Sequence, residues 1–309
     1  MECGNQSQLT HFVLVGLPHP PELRVPLFLF FSLVYLLTLC GNLLNLLAVV
    51  RDRRLHKPMY WFLCHLSFLD MVVSSVLVPK VAAGFLPGGG AISFEGCVAQ
   101  IFLFPFLGST ECFLYTVMAY DRFLAICKPL RYGIIMNHRT CLCLAAGTWL
   151  GRALNSTMQT VLTFRLPYGP GNRVESIFCD IPAVLKLACA NTALNELVIA
   201  LDVGFLALTC FLLILTSYVY IVSAILRIRS AEGRRRAFST CGAHTTVVVT
   251  YYVPLFIIYL RAGSKDTLDG VVAVFYTTVT PLLNPLIYTL RNKEIKEALV
   301  RLGRRLAEA

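Results

Sequence analysis

The chain reads as an all-helical membrane protein: a seven-transmembrane helix bundle followed by a short amphipathic C-terminal helix. Three observations predict it. Of 309 residues, 57% are hydrophobic and 14% charged, with a mean hydropathy of +0.69; such a surface suits lipid better than water. Seven stretches approach or exceed the roughly 20 mostly apolar residues that a spanning helix needs. Nineteen of the 27 lysines and arginines lie in the segments at one set of span ends, and seven lie at the other. That asymmetry orients a membrane protein, with the richer side in the cytoplasm.

The spans follow in order. The first, 26–50, carries no charge. The second, about 59–78, is interrupted by His65 and Asp70, and the third, 98–120, holds Glu111 as its only charge. The fourth, about 141–164, contains Arg152. The fifth, about 197–226, begins near Asp202; the sixth, 237–260, carries His244; the seventh is about 268–290. Residues 1–25 then form an extracellular N-terminus, 26–290 the transmembrane domain and 291–309 a cytoplasmic tail. In the tail, Ile295, Leu299, Leu302 and Leu306 are spaced for one face of a basic amphipathic helix, which would lie on the anionic inner leaflet.

Residues 1–25 lack a basic patch followed by a short apolar core, so the first span is expected to serve as its own insertion signal. Asn5-Gln6-Ser7 is a glycosylation sequon that an outside N-terminus would make usable. The net charge of +10 does not point to nucleic acid, because the charges flank apolar spans and fit a membrane face. The twelve cysteines show no zinc spacing. Those inside spans are expected to pack as small hydrophobes, whereas Cys97, Cys179 and Cys189 fall in loops.

Two motifs stand at helix ends. Met118-Ala119-Tyr120-Asp121-Arg122-Phe123 closes the third span, and Pro281-Leu282-Leu283-Asn284-Pro285-Leu286-Ile287-Tyr288 ends the seventh. With seven spans, they resemble the rhodopsin-like G-protein-coupled receptors. Leu55-His56-Lys57-Pro58-Met59-Tyr60, Leu66-Ser67-Phe68-Leu69-Asp70, Ser217-Tyr218 and Arg236-Ala237-Phe238-Ser239-Thr240-Cys241 narrow the likeness, as do Phe178-Cys179-Asp180, Lys186-Leu187-Ala188-Cys189 and Leu290-Arg291-Asn292-Lys293-Glu294. Together they are similar to the olfactory receptors of the class II, tetrapod type.

The resemblance implies a plasma-membrane receptor, not an enzyme. It would bind a small volatile odorant in the outer half of the bundle, activate a stimulatory G protein and raise cyclic AMP. It assigns the cytoplasmic switch to Asp121, Arg122, Tyr218, His244, Asn284, Pro285 and Tyr288. Phe123 stands where the family usually has tyrosine. The implied ligand residues are Phe104, Gly108, Ser109 and Cys112 on the third helix, and Asp202, Phe205 and Leu206 on the fifth. Tyr252, Leu255 and Tyr259 on the sixth and Thr277 on the seventh complete them. A disulfide between Cys97 and Cys179 is implied across two outer loops. Gly169 stands where the family carries the usual partner of Cys189, and Cys3 is a remote alternative.

Asp70 and Glu111 lie at mid-membrane depth, where a charge costs about 2.5–3.5 kcal/mol on insertion scales. Protonation or water would serve them; the resemblance implies a shared cation, sodium, acting as an allosteric modulator and not as a cofactor. Arg152 departs from the family's small residues. It must snorkel, pair or strain insertion, and the expectation is that Arg152→Gly improves surface expression. A transporter or channel would account for the buried acids but not for the two motifs. An intramembrane enzyme would need a nucleophile pair or a metal constellation, and the sequence displays neither.

Overall fold

The computed structural model describes residues 10–169, 171–260 and 267–307, with the backbone alone at 236, 240, 258–260, 267–269, 290, 291 and 305–307. Asn5, Cys3 and the side chain of Tyr259 lie outside the described residues. Among the described residues, seven long helices form one bundle. They are α1 (Arg24–Arg51), α2 (Pro58–Ala83), α3 (Phe94–Cys127), α4 (His138–Phe164), α5 (Ala193–Leu226), α6 (Ala231–Leu260) and α7. Helix α7 comprises Thr267–Val274, a π-turn at Phe275–Val279 and Thr280–Arg291. An eighth helix, α8 (Lys293–Ala307), follows it.

Six of these helices are long and apolar enough to cross a membrane among the described residues. Helix α4 has the length, at 27 residues, but its polar groups turn inward to serve other helices. Ser156 Oγ donates to Phe102 O of α3 at 2.5 Å, and three α4 side chains converge on Asp202 of α5. Leucines such as Leu29, Leu33 and Leu36 of α1, and Leu208, Leu212 and Leu215 of α5, are exposed on the outer faces of the bundle. An apolar exterior around a polar-dotted interior is what a lipid solvent selects.

Proline 285 removes a backbone donor inside α7, so the carbonyl four residues back loses its partner. Asn42 Nδ2 of α1 supplies the missing bond, donating to Pro281 O at 3.1 Å. Gly41 allows that approach, since a Cβ there would meet Pro285 Cγ at 3.1 Å. The kink is thereby anchored to α1.

One end of the bundle carries a three-stranded sheet in the order β2-β1-β3. Strand β1 (His11–Leu14) pairs antiparallel with β2 (Ala91–Ser93) and parallel with β3 (Arg173–Val174). The sheet adds a small cap, unforeseen in the sequence, to the helical fold, and it knits the N-terminal segment to two loops. Phe12, fully buried, packs with Cys97, Ile101 and Tyr168 beneath it. Cys97 at the start of α3 is bonded to Cys179, closing a loop 82 residues apart in sequence. Cys97→Ser is expected to cost about 2–5 kcal/mol and to remove the protein from the cell surface. Unchanged surface staining of a tagged variant would contradict this.

The opposite end, the tail end, is tied by polar contacts between α8 and the segment joining α1 to α2. Arg301 donates to Asp52 Oδ2 at 2.6 Å. Lys57 pairs with Glu294 at 2.8 Å, and Tyr60 Oη donates to the same carboxylate at 2.9 Å. Burial works to raise the Glu294 carboxyl, but the bonds from Lys57 and Tyr60 hold it below its usual value.

Candidate ligand cavity and signalling core

A cavity of about 670 Å3 opens between the helices at the sheet end. Phe104, Gly108, Ser109 and Cys112 of α3 line it, with Asp202 and Leu206 of α5, Leu255 of α6 and Thr277 of α7. The bundle thus brings eight of the expected residues to one wall. Residues the sequence reading missed complete it. Gly16, Leu17 and Pro18 come from the N-terminal segment, Ile177 and Phe178 from the loop after β3, and Tyr251 and Tyr276 from α6 and α7. The spacing of helix residues gave no signal for the first five, because loop placement follows from the disulfide and the sheet.

Two expected residues lie elsewhere. Phe205 is 74% exposed on the outer face of α5. In a regular α-helix, positions 202, 205 and 206 would share a face. A π-turn at Leu201–Phe205 adds a residue to that turn and rotates Phe205 outward. Tyr252 is 1% exposed and packs on Phe211 and Phe256 instead of the cavity.

Arg152, which could snorkel, pair or strain insertion, is paired. Its Nη1 donates to Asp202 Oδ1 at 2.8 Å, and its guanidinium lies 5.5 Å from the Phe113 ring centre. Asn155 Nδ2 and Gln159 Nε2 donate to Asp202 Oδ2 at 2.9 and 2.8 Å. The mid-membrane arginine is therefore paired, and the carboxylate it pairs with is saturated on one oxygen. The four residues bind α4 to α5 where the π-turn presents Asp202.

Deeper in the bundle, Asp70 and Glu111 meet through intermediaries. Asn284 Nδ2 donates to both Asp70 oxygens at 3.1 and 3.0 Å and lies 3.3 Å from Tyr115 Oη. Tyr115 in turn donates to Glu111 Oε1 at 2.5 Å. Asp70 is 1% and Glu111 7% exposed. Asn284 Oδ1 and Ser74 Oγ, the latter one turn from Asp70, are buried without a hydrogen-bond partner among the described residues. An all-oxygen set of this kind fits a hard cation. Clusters of three or more His, Cys, Asp and Glu do not occur among the described residues, so a transition-metal centre finds no support.

Below that network the helices are linked by His244. Its Nε2 faces Tyr115 O at 3.1 Å, and its Nδ1 faces Tyr218 Oη at 2.7 Å. A carbonyl only accepts, so Nε2 carries the proton and Nδ1 receives the Tyr218 hydroxyl. At the tail end, Asp121 accepts from Tyr132 Oη at 2.8 Å, and Arg122 Nε and Tyr288 Oη are buried without a hydrogen-bond partner among the described residues. Of the residues expected to form the switch, Asn284, His244 and Tyr218 are thus linked through Tyr115. Gly169 lies against Cys189: a Cβ at 169 would come 3.2 Å from its Sγ.

Comparison with known proteins finds a matching family and similar relatives. A family model described as Olfactory receptor matches residues 31–305. Human Olfactory receptor 10G6 is 66% identical, over 98% of this chain and 91% of its own length. Human Olfactory receptor 10G2 is 61% identical, over 95% of both chains. Human Olfactory receptor 10G7 is 58% identical, over 97% of this chain and 96% of its own.

Proposed function

Because this chain belongs to the olfactory receptor family, we propose that it binds small volatile organic molecules in the cavity at the sheet end and activates a stimulatory G protein at the tail end, raising cyclic AMP. It is a multi-pass membrane protein and a signalling receptor, not an enzyme. The carrying observation is the cavity itself: about 670 Å3, mostly apolar, with a few polar groups. That volume and lining suit a small organic ligand.

The proposed orientation puts the sheet end and residues 1–25 outside the plasma membrane and residues 291–309 in the cytoplasm. The lysine and arginine distribution supports it, as does a disulfide at the sheet end, which needs an oxidising compartment. Asn5 would then be available for glycosylation. The test is an odorant screen in cells with a cyclic AMP reporter. A ligand-dependent rise is expected, and a wild type at the surface that answers no odorant would overturn the reading.

A sodium ion between Asp70 and Glu111 would hold the resting bundle, with Asn284 Oδ1 and Ser74 Oγ as further oxygens. Removing one charge would release that hold and shift the resting population. Asp70→Asn is therefore expected to raise basal cyclic AMP at equal surface level, through a coupling of about 1–3 kcal/mol. Basal output and sodium sensitivity both unchanged would remove the cation from the scheme.

A further inference from the structure

The hydrogens on the cavity wall are unevenly distributed. Three polar side chains of the spanning helices keep surface open there: Ser109, Asp202 and Tyr276, each half-buried. None has a hydrogen to give. Ser109 Oγ donates its proton to Pro105 O at 2.6 Å. Tyr276 Oη donates to Tyr251 Oη at 3.0 Å. Asp202 is a carboxylate whose Oδ1 accepts, among the described residues, from Arg152 alone, so a lone pair on that oxygen remains.

The other helix residues on the wall follow the same pattern. Thr277 donates to Ala273 O at 2.7 Å, and Tyr251 donates to Gly108 O at 2.8 Å. With the Tyr251 proton spent, its 3.1 Å contact with Cys112 Sγ uses the thiol hydrogen. Gln159 keeps a second amide hydrogen, but it is 4% exposed and turned onto Asp202. Among the described residues, the remaining side-chain donors are Ser176 and the exposed Lys186; they belong to the loop that covers the sheet end, which also brings the carboxyl groups of Glu175 and Asp180 to the cavity.

Charge narrows the ligand further. Arg152 does not line the cavity, yet its guanidinium compensates Asp202 from behind at 2.8 Å. A cationic ligand at Asp202 would meet a carboxylate already neutralised, with a positive charge behind it. An anionic ligand would meet lone pairs at the helix wall, and the Lys186 charge in the loop is offset by Glu175 and Asp180 beside it. An ether or ketone would bring only acceptors against acceptors, leaving both desolvated and unpaired.

Resting on the odorant-receptor reading, we propose that the cavity selects small, uncharged, hydroxyl-bearing apolar molecules, whose O–H is accepted by the Ser109, Asp202 and Tyr276 wall. Asp202 and its charge partner Arg152 then determine specificity.

The test uses matched compounds on several carbon skeletons: the alcohol, its methyl ether, the ketone, the primary amine and the carboxylic acid. Binding is read as the shift in Tm of the purified full chain in detergent, and signalling as cyclic AMP in cells. Alcohols are expected to bind at least about tenfold more tightly than their ethers and ketones. Arg152→Gln, where it reaches the surface, is expected to move the preference toward the amines. Ethers or ketones matching the alcohols would overturn the inference while leaving the receptor reading intact. Amines preferred by the wild type would overturn it too, showing Asp202 to act as an uncompensated anion. Alcohols that raise Tm but never cyclic AMP would support the wall and sink the receptor reading. A panel that shifts neither readout would overturn the assignment of the wall.

Discussion

Arg122→Ala is expected to reach the cell surface, keep its ligand and lose odorant-driven cyclic AMP. Arg122 stands at the tail end of α3, its Nε buried without a hydrogen-bond partner among the described residues, while the neighbouring Asp121 is engaged by Tyr132. A buried guanidinium nitrogen left unsatisfied is costly, so a partner arriving at this end would relieve it. Receptor action is a population shift: the ligand must favour the conformation whose far end binds the G protein. From Ser109 on the cavity wall to Arg122 is roughly 20 Å at about 1.5 Å per residue. Removing the side chain should therefore leave the cavity intact. The expected phenotype splits, with surface staining and ligand-induced Tm shift near wild type and signalling reduced to basal. A variant that reaches the surface and signals fully would show that Arg122 is not the switch.

Breaking the Arg152–Asp202 pair is expected to lower surface expression, the reverse of what Arg152 suggests when read without its partner. Both side chains are largely buried, at 15% and 13% exposed. Removing one partner strands the other charge, at a cost of about 3–5 kcal/mol. Arg152→Gly would leave Asp202 with only Asn155 and Gln159, and Asp202→Ala would leave Arg152 over the Phe113 ring. Either change should reduce surface staining severalfold. The double variant Arg152→Met, Asp202→Leu should recover part of it, because neither charge then remains to be satisfied. Higher staining for Arg152→Gly would mean that the pair strains the bundle.

The contrast between these residues separates what each level of description supplies. Residues 26–50 announce α1 by length and apolarity alone, because lipid leaves a backbone no partner but itself. The motifs around Arg122 and Pro285 are equally local, and their positions at helix ends follow from the spans. The lining positions of α3 were implied by the family resemblance, and Phe104, Gly108, Ser109 and Cys112 do share the cavity.

Periodicity fails where the helix itself changes pitch. Phe205 was expected beside Leu206, but the π-turn turned it outward. Strand β1 is four residues long, too short to carry a pattern, and exists through its pairing with two distant loops. The Asn42 bond to Pro281 spans 239 positions, and Arg152 meets Asp202 across 50. Length, apolarity and motif position are properties of a segment, so the sequence by itself determined the helical membrane class and the family. Whether a buried charge is a burden or a clamp, and which hydrogens remain on the cavity wall, depend on groups brought together only by packing. The tertiary structure alone decided those, because the energy of a polar group in a low-dielectric interior is set by its partners.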